Sequence, residues 1–140
     1  MAMQVGYSQT LPQLGKDPIE KVVAAMTAEE KVSLLVGTGM PGFGGQSAVV
    51  GSTQNIVPGA AGTTFPIERL GIPAIVVADG PAGLRISPTR EGNEATYYCT
   101  AFPVATLLAS TWNTALVKNV GNAMGDEVKE YGCDVLLAPR

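Results

Sequence analysis

The feature that most constrains the fold is a short apolar run that ends on a single carboxylate. Residues 72–78 consist mainly of Ile, Val and Ala, and Asp79 follows them directly before the Gly80-Pro81 turn. Such a run is typical of a buried strand, and a Gly-Pro pair ends it. Because ligands in α/β folds lie at the carboxyl ends of strands, Asp79 is a candidate binding residue.

Asp79 has two interpretations at this point. An ionised carboxylate only accepts hydrogen bonds, and its two oxygens suit two neighbouring hydroxyls of one ligand, as on a sugar ring. Aspartate is also a frequent turn residue, so Asp79 could simply stabilise the turn that follows the strand. The composition alone slightly favours the turn.

The composition excludes several classes of function. The 140 residues are 46% hydrophobic, enough for the core of one domain, and the net charge of −3 with no basic run argues against nucleic acid. No apolar run could cross a membrane, and the first residues do not resemble a secretory signal, so we expect a cytoplasmic location. Histidine is absent and Cys99 and Cys133 form no metal or redox motif. We therefore predict no metal and no cofactor, and interpret both cysteines as small buried hydrophobes.

Residues 17–37 predict two helices after a polar lead-in over residues 1–16. Asp17 is a suitable N-cap for the first helix, with Pro18 at its first position and Glu20 completing a capping box. A second capping box follows at once, from Thr27 to Glu30.

The second helix is expected to end at Gly37, a residue type that favours helix ends. Glu29 and Glu30 lie in its first turn, where negative charge suits the helix dipole, so we assign them no chemistry.

Residues 38–71 are predicted as a glycine-rich loop. Ten of the 26 residues from Gly37 to Gly62 are Gly or Pro, and no periodicity is visible. Residues 42–45 lack the Gly-Lys-Ser/Thr continuation of a phosphate-binding loop. Long loops inside compact domains are usually functional or disordered, and we predict a rim loop near a binding site.

Residues 72–140 predict a strand, a loop, a helix and a second strand, an order that implies a parallel pair. We interpret the Tyr97-Tyr98 pair in the loop as packing and residues 104–110 as a short buried helix. Asn113 is a suitable N-cap for the main helix, Gly132 ends it, and residues 133–139 form the second strand. The apolar stripe of that helix comprises Leu116, Val117, Val120, Met124 and Val128.

The last residue, Arg140, comes directly after the second predicted strand. Parallel sheets are buried on both faces and need more than two strands. We therefore expect the strand edges and the helix face to require a larger partner, namely the remainder of the protein on the same or a second chain.

Six motifs, in order, resemble the N-terminal part of glycoside hydrolase family 3, and most closely its β-glucosidases. The resemblance covers the chain from about Pro18 to Pro139, and the Asp-Gly-Pro-x-Gly-Leu-Arg loop is similar to the glucosidase form. The motifs occupy residues 26–32, 69–73, 79–85, 100–103, 109–113 and 132–139.

The resemblance implies an α/β fold that is the N-terminal portion of a (β/α)8 barrel, with this chain as its first strand, first helix and second strand. It implies retaining hydrolysis of terminal β-D-glucosyl residues, from β-glucosides or oligosaccharides, by two carboxyl groups outside residues 1–140. The chain would then hold part of a substrate pocket and no catalytic residue. A homo-oligomer is compatible with this. The alternatives are a non-catalytic carbohydrate-binding or interaction module, and an unrelated α/β protein in which Asp79 is only a turn residue.

Three residues match family positions of the substrate pocket. Asp79 matches the carboxylate that holds hydroxyls of the non-reducing sugar, which now favours ligand binding over the turn interpretation. Leu137 matches a residue that lines the same pocket. Arg85 matches a loop arginine, interpreted first as an anchor, through ion pairing or bonds to loop carbonyls, and second as a ligand contact. Trp112 also matches a family position, and we predict that it packs in the core.

Overall fold

A computed structural model describes residues 11–38 and 56–138, and it confirms an α/β arrangement. Half of the predicted rim loop, residues 39–55, lies outside the described residues, as do residues 1–10 and 139–140. A 3-10 turn spans Glu68–Leu70. The helices are α1 (Ile19–Ala25), α2 (Ala28–Val36), α3 (Ala105–Ser110) and α4 (Thr114–Glu130), and the strands are β1 (Gly62–Thr63), β2 (Val76–Asp79) and β3 (Val135–Leu137).

The central strand of the described sheet is β2, which has a different kind of neighbour on each side. Strand β3 pairs with it in parallel, which confirms the predicted parallel pair. Strand β1 pairs with it antiparallel on the other edge. This strand was not predicted, because two residues inside the glycine-rich segment are too few to show an alternating pattern.

The start of the parallel pair is fixed by reciprocal bonds between Asp134 and Val76. The carboxylate of Asp134 accepts a hydrogen bond from the Val76 N–H at 2.8 Å, and the Asp134 N–H donates to the Val76 carbonyl at 2.9 Å. These bonds set the register that places Val77 opposite Val135.

Helix caps confirm most of the predicted helix starts. Thr27 and Glu30 form the predicted capping box of α2, and the helix ends at Gly37, whose φ is 71°. The Asn113 side chain accepts from the Leu116 N–H at 3.0 Å at the start of α4. Helix α4 is followed by Gly132 at φ 75°. No helix in the described ranges is both long enough and apolar enough to cross a membrane.

The predicted cap of α1 is wrong. The N-cap is Pro18, and no side chain caps the helix, so Asp17 and Glu20 form no capping box. The Asp17 carboxylate instead accepts from the Gln13 N–H at 2.9 Å, while the Asp17 N–H donates to the Gln13 carbonyl at 3.0 Å. The carboxylate thus closes the preceding turn, and it is not available to the helix.

Two apolar clusters form the core. The first joins α1 to the 3-10 turn through Val22, Met26, Ile67 and Leu70, and Leu70 is completely buried. The second surrounds β2 and includes Cys133, with Cys99 half-buried against it. Burial is the main cause that raises the pKa of both thiols, in agreement with their interpretation as small hydrophobes. The members of the second cluster are Val57, Ala60, Val76, Ala78, Leu84, Val128 and Cys133.

Helices α3 and α4 leave an apolar face open within the described part of the chain. No residue of α3 is buried, and Trp112 is 93% exposed with a φ of 52°, so both predictions of burial are wrong here. The physical reason is that only Val128 of the α4 stripe reaches the core. An apolar cavity of about 500 Å³ lies between α3, α4 and β3, and Leu108, Val120, Met124 and Leu136 are among its lining residues.

Candidate binding site

Asp79 is the last residue of β2, as the sequence predicts. Val76 and Ala78 point into the core, and Asp79 lies on the opposite face because side chains alternate along a strand. Its side chain is 49% exposed. The strand therefore presents the carboxylate at its carboxyl end, where the side chain is accessible.

The parallel register brings two of the three predicted site residues together. Asp79 lies opposite Leu137, the last residue of β3, and Leu137 is half-exposed. Neighbouring strands are about 4.8 Å apart. A hydrogen-bond acceptor and an apolar side chain thus lie side by side at one end of the sheet.

The loop of residues 80–85 folds back onto β2. The Arg85 N–H donates to the Asp79 carbonyl at 2.8 Å and closes the loop. Gly80 is buried, and a Cβ at this position would lie 2.2 Å from Cδ1 of Leu136, so a larger residue would require the Leu136 side chain to move.

The Arg85 side chain is the third predicted site residue, and it reaches Asp79 only at the limit of an ion pair. Its Nη1 lies 4.0 Å from Oδ2 of Asp79, and the side chain is 79% exposed. In the ranges that the structure describes, the pair with Asp79 is the form of anchoring that the Arg85 side chain shows. The ion pair between Arg85 and Asp79 is weak, because solvent screens both charges.

A second segment packs on this loop. The Phe102 N–H donates to the Ala82 carbonyl at 2.8 Å. A Cβ on Gly83, whose φ is 116°, would lie 2.1 Å from the Thr100 carbonyl oxygen. The two backbone segments are therefore in direct contact, and glycine at position 83 is what allows it.

Helix α4 holds this second segment in place. The Thr100 N–H lies 3.1 Å from both carboxylate oxygens of Glu127, and the Thr100 hydroxyl also donates to Glu127. The sequence reasoning missed this contact. A signal was present, because Glu127 lies three residues after Met124 and seven after Val120, on the apolar side of the helix.

The predicted aromatic packing is half right. Tyr97 packs edge-to-face on Tyr131 with 6.1 Å between ring centroids, and Arg90 lies 4.3 Å above the Tyr97 ring. The Tyr98 ring is exposed, and the Tyr98 carbonyl accepts from the Tyr131 hydroxyl. Residues 97–100 are thus attached at several points to α4 and to Tyr131, its C-cap.

The arrangement at Asp79 suits a ligand with several hydroxyls. The carboxylate supplies acceptor oxygens, Leu137 supplies an apolar wall, and Arg85 supplies a nearby positive charge. Within residues 11–38 and 56–138, no three His, Cys, Asp or Glu side chains are grouped as a metal site.

Glu30 has a structural role. It pairs with Arg69, whose Nε donates to its Oε1 at 2.7 Å, and this guanidinium is the main reason why the pKa of Glu30 lies below its ordinary value.

The comparisons with curated proteins point to β-glucosidases, although no family model matches the chain. It is 36% identical over 121 residues to a β-glucosidase of Rhizobium radiobacter, which covers 86% of this chain and 12% of the relative. It is 35% identical over 126 residues to thermostable β-glucosidase B of Acetivibrio thermocellus, covering 86% of this chain and 14% of the relative. The chain thus spans only a small part of the length of these relatives.

The comparison with solved structures also finds a β-glucosidase. The chain resembles β-glucosidase 3B of Thermotoga neapolitana in complex with α-D-glucose, with a TM-score of 0.74 and 56% identity. The similarity covers 88% of this chain and 16% of that protein. The glycerol complex of the same protein gives a TM-score of 0.73 at 57% identity, over 86% of this chain and 16% of that protein.

Fold and sequence together show that the chain is similar to a short portion of glycoside hydrolases. The resemblance seen in the sequence, to an N-terminal portion of the β-glucosidases of glycoside hydrolase family 3, is thus confirmed by relatives of which the chain covers 12%, 14% and 16%.

Proposed function

We propose that the chain forms the start of a (β/α)8 barrel, with β2 as its first strand, α4 as its first helix and β3 as its second strand. The parallel pairing of β2 with β3 supports this proposal, as does the small share of the structural neighbour that the chain covers. The remainder of the enzyme, on the same or a second chain, would complete the barrel and cover the open face of α3 and α4.

The completed enzyme, in our proposal, is a retaining β-glycosidase that hydrolyses terminal non-reducing β-D-glucosyl residues of β-glucosides or oligosaccharides. The observation that carries it is that Asp79 lies opposite Leu137 at the carboxyl ends of two parallel strands. The chain in which this occurs is 56% identical to a β-glucosidase. Asp79 would accept hydrogen bonds from two sugar hydroxyls, and Leu137 would line the same pocket. Arg85 would act first as a charged anchor at the rim of the pocket. Contact with the ligand would be its second role.

The catalytic carboxyl groups would come from outside this chain. In a retaining enzyme one carboxylate forms a covalent glycosyl-enzyme and the other acts as acid and then base. We therefore expect NMR of the early reaction to show β-glucose as the first product. Release of α-glucose first would contradict the retaining mechanism and leave the binding role of Asp79 to be tested separately.

The test of the site is Asp79→Asn in the complete enzyme. Asparagine keeps the shape of the side chain but replaces one acceptor oxygen with a donor amide. Loss of a charged acceptor typically costs about 1.5–3 kcal/mol, so we expect kcat/KM for an aryl β-glucoside to fall about tenfold to a hundredfold.

The matched control is Asp126→Asn, because Asp126 is exposed on α4. We expect this control to keep wild-type kinetics. Unchanged kinetics in Asp79→Asn would remove Asp79 from the pocket. Calorimetric glucose binding by a wild-type protein that shows no hydrolysis would favour a non-catalytic binding module.

A further inference from the structure

We infer that Glu127 is a positioning residue for the Asp79 loop, which we define as residues 79–85. Glu127 does not reach the loop itself and would act through Thr100. The inference rests on the proposed role of Asp79 in sugar binding, and it adds a residue of α4 that supports that role from behind.

The first contact joins Glu127 to Thr100. Both carboxylate oxygens lie 3.1 Å from the Thr100 N–H, and the Thr100 hydroxyl donates to the same group. Hydrogen bonds to an ionised acceptor are roughly twice as strong as neutral ones. One turn later, at the end of α4, the hydroxyl of its C-cap Tyr131 donates to the Tyr98 carbonyl. One side of the helix thus holds two residues of the same extended segment.

The second contact joins Thr100 to the Asp79 loop. The Thr100 carbonyl oxygen occupies the place where a Cβ of Gly83 would lie, at 2.1 Å. The Phe102 N–H donates to the Ala82 carbonyl at 2.8 Å. Since these are backbone contacts without a flexible side chain between them, a shift of Thr100 must also shift Ala82 and Gly83.

The third contact closes the loop at Asp79. The Arg85 N–H donates to the Asp79 carbonyl, and Gly80 is pressed against Leu136 of β3. The sheet therefore holds the loop at its two ends, while the middle of the loop depends on the segment that Glu127 holds. Loss of Glu127 would loosen the middle of the loop and leave β2 paired.

The experiment compares Glu127→Ala, Glu127→Gln and Glu130→Ala in the complete enzyme. Glu130 lies on the same helix, is exposed, and accepts no side-chain hydrogen bond in the described part of the chain. The readouts are kcat and KM for an aryl β-glucoside and amide hydrogen exchange of peptides that cover residues 79–85.

We expect Glu127→Ala to raise KM and lower kcat/KM about tenfold, with faster exchange in residues 79–85, since small misplacements of a binding group reduce rates strongly. Glu127→Gln should recover most of this loss, because its amide oxygen still accepts from the Thr100 N–H. Glu130→Ala should match the wild type. A folded Glu127→Ala variant with wild-type kinetics and wild-type exchange in residues 79–85 would overturn the inference.

Thr100→Val covers the case in which Glu127→Ala does not fold. Valine keeps the branched shape and the N–H donor but removes the hydroxyl bond, so the same changes should appear at a few-fold size. Unchanged exchange and kinetics would again overturn the inference. If the wild-type enzyme hydrolyses no β-glucoside, the proposed function fails alone, since amide exchange still tests the link from Glu127 to the loop.

Discussion

Two apolar regions of the molecule differ in how they are closed. The cluster of Val22, Met26, Ile67 and Leu70 is buried by residues of this chain alone. Helices α3 and α4 instead leave Leu107 and Val117 exposed, at 57% and 41%. Both regions derive from amphipathic helices, yet only the first has its partner within the described residues.

The comparison shows what an amphipathic stripe does and does not specify. The stripe on α4 is real, but only Val128 is buried, so the pattern indicates that a partner surface exists without saying where it comes from. The proposed barrel gives the open face a partner, and the two regions can then be compared experimentally.

The largest expected effect is that of Leu70→Ala. Leu70 is completely buried, so its truncation removes apolar contacts and leaves a cavity. We expect the free energy of unfolding of the complete protein to fall by about 2–5 kcal/mol, measured by urea denaturation. A loss below 1 kcal/mol, the size of an ordinary surface substitution, would show that the first cluster is not the closed core described above.

Leu107→Ala tests the second region, formed by α3 and α4. If the remainder of the enzyme covers α3 and α4, truncation of Leu107 should destabilise the complete protein by about 2 kcal/mol or more. On a face open to water the change would stay within about 0.5 kcal/mol. We expect the larger value, and the smaller one would contradict coverage of this face.

The smallest expected effect concerns Glu30, which forms an ion pair with Arg69. Arg69 holds the pKa of Glu30 below its ordinary value of 4.5, so the ion pair stabilises the fold above that pH. The stabilisation is lost as the pH falls through the lowered pKa of the folded state.

Glu30→Gln is the matching variant, because its amide oxygen can still accept from the Thr27 N–H. The melting temperature of wild type should exceed that of Glu30→Gln at pH 7, and the difference should shrink as the pH falls below 4.5. Glu29 titrates in both proteins and cancels from the difference. A constant difference across this range would contradict the ion pair.

Local spacing explains what could be predicted from the sequence. Thr27 and Glu30 are three residues apart, and Asn113 precedes its helix directly, so their caps follow from short-range chemistry. Asp79 at the strand end follows from the apolar run before it. Even at short range another donor can occupy the predicted capping group. The Gln13 N–H binds the carboxylate of Asp17, which then does not cap α1.

Long-range contacts explain most of what was missed. Glu127 and Thr100 are 27 residues apart, and Arg69 and Glu30 are 39 apart, so no spacing rule joins them. Strand β1 is too short to show a pattern. The exposure of Trp112 depends on which surfaces meet α3 and α4, and the amino acid type alone does not decide it.

The bonds between Asp134 and Val76 have a consequence for changes in chain length. They lie three residues before the pair of Asp79 and Leu137, so the start of β3 decides which side chains meet at its end. Because a slip of one residue turns every side chain of a strand to the other face, an insertion that shifts β3 would separate this pair. Extra residues in the segment 86–96 would leave that register unchanged. Tolerance to insertions should therefore differ sharply between the turn that leads into β3 and the segment 86–96, although neither contributes a side chain to the candidate site.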